Sequence, residues 1–197
     1  MNYVIKSTSP CFETIKAVDG RLEHLAFHQA RFDKTRQALF GTSSKMMLAE
    51  HLNPPKDSIY RVRVEYTSKI EKVSYMPYEP RVFKRFRLVE CAIDYQYKYC
   101  DRDALEAYAC DVDEDIIFTC KDVLQDTRIA NIALLIDGQW QTPSHPLLEG
   151  TTRARLLASG FLKEAFLTCH SLQKAEKFAI MNALIGFKII HNVFIKD

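Results

Sequence analysis

The chain has 197 residues, enough for one or two domains with a buried core. With 47% hydrophobic and 26% charged residues it reads as a soluble globular protein, and no apolar run approaches membrane-spanning length. A net charge of +2 is too small to argue for nucleic acid or an anionic membrane as partner.

The six cysteines (Cys11, Cys91, Cys100, Cys110, Cys120 and Cys169) are scattered without a CxxC pair. That pattern suits reduced thiols rather than a disulfide framework, and it lacks the close ligand pairs of a zinc site. The opening residues "MNYVIKSTSPCFETI" have no apolar core of a signal peptide, so a cytoplasmic protein is expected.

Taken in chain order, "CFETIKAVDGRLEHL" predicts a strand at Phe12–Val18, an Asp19-Gly20 turn and a second short strand. "HLAFHQARFDKTRQALF" carries Leu25, Phe32 and Leu39 at seven-residue spacing, a helical stripe. His28 and Arg31 are neighbours on that helix. "NPPKD" breaks the chain, and "SIYRVRVEY" and "KIEKVSYMPY" then read as paired strands. "RVFKRFRLVECAI" is a third strand candidate with one basic face. Residues 1–92 are expected to form an N-terminal α+β domain, and residues 93–197 a second domain.

The second half opens with a short helix at Arg102–Ala109, followed by strands in "DEDIIFTC", "DVLQD" and "IANIALLID". Asp137-Gly138 turns into "QWQTP". Gly150 precedes a helix, "TTRARLLASG", that Gly160 ends. A short polar helix, "SLQKAE", lies between "EAFLT" and "KFAIM", and "GFKIIHNVFI" closes as a strand.

Several residues invite a chemical reading beside an ordinary one. Lys98, between Tyr97 and Tyr99 in a run expected to be a partly buried strand, would ordinarily point to solvent. Among aromatics, desolvation lowers an amine's pKa and makes it a nucleophile. Asp126 precedes an apolar run; it is either a turn carboxylate or a buried acid facing a cationic ligand nitrogen. Asn131, five residues on, orders the loop or makes an Asx turn. Gly150-Thr151-Thr152 opens a helix with free N–H groups and two hydroxyls, an anion site in principle and a plain cap by default. Arg31 could complete a phosphate clamp, although it is one of twenty-seven basic residues. Arg61, Arg63, Arg85 and Arg87 could bind a substrate carboxylate, with solvation on a strand face as their usual role.

In order and spacing, "FETIKAVDGRLEHLAFHQARF", "YKYCDRDAL", "LQDTRIANIALLIDGQWQTPSHPLLEGTTRARLL" and "AIMNALIGF" resemble the class IV (fold type IV) pyridoxal-phosphate enzymes. That family holds branched-chain and D-amino-acid aminotransferases and aminodeoxychorismate lyase. The resemblance implies an α+β fold, with a small N-terminal domain, a C-terminal barrel-like mixed sheet and a homodimer. It implies pyridoxal 5'-phosphate (PLP) as cofactor. Lys98 matches the lysine that forms the Schiff base, Arg31 the phosphate-binding arginine, and Gly150, Thr151 and Thr152 the phosphate-binding turn. Asn131 belongs to the same block, and Asn182 in "MNAL" matches a position near the phosphate. Asp126 stands where the family usually has a glutamate on the pyridine nitrogen, one methylene shorter.

The activity implied is an aminotransferase, passing an amino group from a branched-chain or D-amino acid to a 2-oxo acid. The alternatives are an aminodeoxychorismate lyase that eliminates pyruvate, and a non-catalytic PLP-binding or scaffold protein. The chain is short for the family, mainly in its N-terminal half.

Overall fold

The computed structural model describes residues 9–83, 85–108, 110–191 and 194–196. The first eight residues, where no signal peptide is expected, lie outside the described residues, as do Lys84, Ala109, Asn192 and Val193 of the expected strands and helix. The chain forms two compact units. One holds the described residues up to Glu79 together with Tyr97–Asp101, and the other holds Pro80–Gln96 and the residues from Arg102 onward.

The first unit is a four-stranded antiparallel sheet in the order β2-β1-β3-β4. β1 (Cys11–Val18) reaches β2 (Arg21–Leu22) through Asp19 and Gly20, both at positive φ (48° and 82°), the geometry of a two-residue hairpin turn. β3 (Ile59–Tyr66) pairs along the whole of β1, and β4 (Ile70–Pro77) pairs with β3. Alternation decides the faces: Cys11, Glu13, Ile15 and Ala17 are buried on one side of β1, as are Val62, Val64 and Tyr66 on β3.

α1 (Leu25–Phe40) supplies the other half of this core with Phe32 and Leu39, and the Phe32 ring meets Tyr66 edge-on at 4.6 Å. It ends where Gly41 takes the left-handed conformation and donates its N–H to the Arg36 carbonyl. α2 (Leu48–His51) adds the buried Leu48.

The second unit contains two sheets. One has the order β13-β5-β6-β7: β13 (Phe194–Lys196), β5 (Arg85–Glu90), β6 (Glu114–Cys120) and β7 (Val123–Thr127). The other has the order β10-β9-β8-β11-β12: β8 (Asn131–Ile136), β9 (Gln139–Pro143), β10 (Lys163–Ala165), β11 (Lys177–Asn182) and β12 (Gly186–Ile190). Both sheets are mixed, with parallel pairs at β13·β5, β5·β6 and β9·β10.

Phe86, Ile117 and Leu124 from the first of these sheets share one core with Ile132, Leu134, Phe178 and Ile180 from the second. The Phe86 and Phe178 rings sit 5.0 Å apart, edge to face. Three short helices complete the unit: α3 (Asp103–Glu106), α4 (Thr151–Ala158) and α5 (Cys169–Lys174). Each unit combines helices with mixed or antiparallel sheets, the α+β class that the sequence motifs imply.

Three expectations change in detail. The strand in "RVFKRFRLVECAI" forms as β5, but its partners are β6 and β13, because Phe86 faces the second core. The closing strand is two pieces, β12 antiparallel to β11 and β13 parallel to β5. The Lys98 segment is an irregular, bent stretch whose one strand-like pairing is the bridge between Cys11 and Tyr99.

Candidate active site

Glu13 is the first surprise in the first unit. It occupies the core-facing row of β1 between Cys11 and Ile15, and it is fully buried. A carboxylate there needs charge-assisted partners, and α1 provides two. Arg31 donates from Nε to Oε1 at 2.8 Å and from an Nη to Oε2 at 2.6 Å, a bidentate pair. His28, three residues earlier on the same helix face, places Nδ1 2.6 Å from Oε2. Burial pushes the Glu13 pKa up, but the Arg31 charge and the hydrogen bonds from His28 and Arg31 outweigh it and hold the carboxyl at about 2. Arg31 is thereby fixed in position, with its side chain 13% exposed. Helical spacing pairs His28 with Arg31 but does not point to Glu13; a glutamate in an otherwise apolar alternating row is the available signal.

Lys98 is held by its backbone. Its carbonyl accepts the N–H of Phe12 at 2.9 Å, and the Cys100 N–H reaches the Pro10 carbonyl at 2.8 Å, so residues 98–100 extend the edge of β1. The half-buried lysine carries its Nζ over the face of Phe12, 4.6 Å from the ring centroid. Tyr97 and Tyr99, which flank it, pack edge to face against each other and against the first core.

The remaining candidates lie in the second unit. Asp126, near the end of β7, is 3% exposed. Its Oδ1 accepts from Asn131 Nδ2 at 2.8 Å, and its Oδ2 accepts the Leu148 N–H at 2.9 Å. Burial raises its pKa from 3.8 to about 6, against the pull of those hydrogen bonds and of the Arg153 charge. Asn131, the first residue of β8, also donates to the Leu148 carbonyl at 2.8 Å. Its Oδ1 lies so close to Gly150 that a Cβ there would collide with it, which explains the glycine.

Gly150 caps α4 in extended conformation with no side-chain cap, and Thr151 and Thr152 fill the first turn, both buried. The N-terminal turn of such a helix presents main-chain N–H groups and the positive end of its dipole. Arg153, also buried, donates to the Pro143 carbonyl and to Glu164, and its Nε is a buried donor with no hydrogen-bond partner among the described residues.

Asn182, at the end of β11, is exposed at its amide, which donates to the Ile129 carbonyl at 3.1 Å. Its Oδ1 accepts from Leu184 and Ile185 N–H groups and shapes the turn into β12. The structure therefore joins Asp126, Asn131, Gly150 and the start of α4 in one bonded set within the second unit. Arg31 and Lys98 are fixed in the first unit.

A family model described as amino-transferase class IV matches residues 95–193. The chain belongs to the class IV aminotransferase family. This is a family of PLP-dependent enzymes that includes aminotransferases and aminodeoxychorismate lyases. The matched span contains Lys98, Asp126, Asn131, Gly150, Thr151, Thr152 and Asn182.

An uncharacterised protein of Haemophilus influenzae is 27% identical over 188 residues, 90% of this chain and 98% of that protein. A Haemophilus somnus structure provisionally named 4-amino-4-deoxychorismate lyase has a TM-score of 0.80 at 28% identity, covering 91% of this chain and 98% of that one. The PLP-bound form of a hypothetical aminotransferase from Mycobacterium tuberculosis shares the fold, with a TM-score of 0.65 at 14% identity, over 94% of this chain and 81% of that one. Among the described residues no helix is long and apolar enough to cross a membrane.

Proposed function

We propose that this class IV enzyme uses PLP, held to Lys98, to remove the proton from the amine-bearing carbon of a small-molecule substrate. The observation that carries the reading is Asp126: a carboxylate 3% exposed, whose pKa burial raises to about 6. The Asn131 amide and the Leu148 N–H, both uncharged, hydrogen-bond to it. A protonated ring nitrogen is the ligand group that would stabilise such an acid in its charged form. The start of α4 fits the other end of the same ligand, through main-chain N–H groups, buried Thr151 and Thr152 hydroxyls and the spare Arg153 Nε donor.

When bound, PLP supplies a conjugated ring that accepts the electron pair left on carbon after the proton departs. Lys98 Nζ would be the group that holds the cofactor and that moves the substrate's proton. Asp126, braced by Asn131 and Leu148 so that the shorter side chain keeps one orientation, would supply the negative charge that favours a proton on the ring nitrogen. The first turn of α4 would bind the phosphate, and Arg31, fixed by Glu13, is the phosphate-binding arginine that the family resemblance implies; Asn182 shapes the turn into β12. Asn131 sets the position of both Asp126 and Gly150. The substrates are an amino acid and a 2-oxo acid, exchanged in amino transfer by a cytoplasmic homodimer.

A second reading is elimination of pyruvate from aminodeoxychorismate, favoured by the nearly full-length likeness at 28% identity to the Haemophilus somnus protein of that provisional name. Purified protein incubated with PLP should turn yellow, and borohydride should bleach the band and fix the cofactor to Lys98, with Lys98→Ala showing neither effect. A wild type that takes up no PLP would sink the enzyme reading. In the yellow protein, keto-acid formation from amino acids indicates transfer, whereas pyruvate release from aminodeoxychorismate without an acceptor indicates elimination.

A further inference from the structure

We infer that Arg63 binds a carboxylate of the substrate and holds it beside Lys98; the inference rests on the proposed role of Lys98. β3 alternates strictly: Val62, Val64 and Tyr66 face the core, which puts Arg63 and Glu65 on the opposite face. Across the ladder Phe12 pairs with Glu65 and Thr14 with Arg63, so these four residues share that face. The Arg63 guanidinium carbon lies 3.7 Å from the Phe12 ring centroid, and Lys98 Nζ lies 4.6 Å from the same centroid. One nearly buried ring therefore carries two cations, which its negative π faces can accommodate.

The site is built for an anion. The side chain of Arg63 is 25% exposed, open to a ligand yet partly desolvated, where a charge-assisted hydrogen bond gains strength. Its Nε already holds a carboxylate, Glu65 Oε1 at 2.8 Å. Among the described residues one Nη donates to the Cys100 Sγ at 3.7 Å, and a thiol sulfur is a weak acceptor that a carboxylate oxygen would outcompete. Burial pushes the Cys100 thiol up, which keeps it neutral.

Two of the other arginines offered by the sequence, Arg61 and Arg85, are worse placed. Arg61 is exposed and among the described residues donates to Met76 Sδ, and Arg85 is taken by Asp111 and Asp113. Position beside Lys98 is what matters chemically. A carbon that yields its proton to Nζ must lie close to Nζ, so a group beside Nζ is also close to the other substituents on that carbon. A carboxylate there would meet Arg63.

The test is calorimetric titration of PLP-loaded protein with pyruvate, a 2-oxo acid common to both readings of the reaction. Arg63→Gln should weaken pyruvate binding about tenfold to a hundredfold, the loss expected for one charge-assisted hydrogen bond. Arg63→Lys should recover part of it. Glu65→Gln, which removes the internal carboxylate, should bind pyruvate more tightly than wild type. Equal pyruvate affinity in wild type and Arg63→Gln would overturn the inference, as would a wild type with no affinity for it. The borohydride-sensitive yellow band must be the same in wild type and Arg63→Gln. If the band is present and affinity is unchanged, only the Arg63 assignment falls; if wild type lacks the band, the PLP reading falls with it.

Discussion

Asn131 donates one amide hydrogen to Asp126 Oδ1 and the other to the Leu148 carbonyl, each at 2.8 Å. Its whole N–H capacity is thus spent joining β7 to the segment that leads into α4. Asp126 returns the link by accepting the Leu148 N–H at 2.9 Å. An acid and a helix entry separated in sequence by a hairpin become one rigid unit through a single amide side chain.

Asp126→Asn tests the acid. The amide is nearly isosteric, so the variant should fold and retain PLP, yet lose most turnover because it cannot stabilise a ring cation. One of its polar atoms becomes a donor facing either Asn131 or Leu148, and that mismatch should cost about 1–3 kcal/mol. Cofactor absorbance, turnover and a urea midpoint together separate the two effects. Turnover near wild type would remove Asp126 from the ring.

Gly150→Ala tests the helix entry. The added methyl would meet Asn131 Oδ1 at 2.0 Å, and that oxygen belongs to a side chain locked by two hydrogen bonds. The variant should be less stable by about 1–3 kcal/mol, as for overpacked sites, and should release PLP more readily. Thermal denaturation with and without PLP measures both.

Glu13→Gln tests the anchor of Arg31. It leaves a cation facing an amide in a buried setting, and breaking one side of such a pair costs about 3–5 kcal/mol. The pH dependence has a definite sign. Because the folded-state pKa is lowered from 4.5 to about 2, the stabilisation is present above pH 4.5 and is lost as pH falls through about 2. Acid titration of the denaturation midpoint should show wild type and Glu13→Gln converging in that window.

Asp126 acts in the opposite direction. Its folded-state pKa is raised from 3.8 to about 6, so its contribution is present below pH 3.8 and is lost as pH rises through about 6. In PLP-free protein, wild type should lose stability relative to Asp126→Asn across this window. Added PLP should flatten the difference, since a ring cation favours the ionised acid. Identical pH profiles for the two proteins would show that Asp126 titrates normally.

Local chemistry was readable from the chain, and partner choice was not. The Asp19-Gly20 and Asp137-Gly138 turns announce their hairpins because few residues tolerate positive φ there. Gly150 announces the start of α4, although its reason, contact with Asn131, needs the fold. The pairing of β5 with β6 and β13 joins distant segments, and periodicity within a strand cannot name its neighbours. Lys98 misled for a related reason: "YQYKYC" has the composition of a strand, but it meets β1 at an isolated bridge between Cys11 and Tyr99 rather than along a ladder. Glu13 was hidden because its partners come from the facing helix, and only the assembled core shows that a charge belongs there.

The five residues Tyr97–Asp101 belong to the first unit, whereas the chain on either side of them belongs to the second. The polypeptide therefore passes between the units three times and stitches them with a loop. No single cut yields two self-sufficient halves. A fragment ending at Glu79 would lack the stretch that lines the edge of β1 and carries the Lys98 amine. A fragment beginning at Pro80 would carry that amine on a loop deprived of its sheet. The gene cannot be divided at its domain boundary without separating the lysine from the strand that aims it.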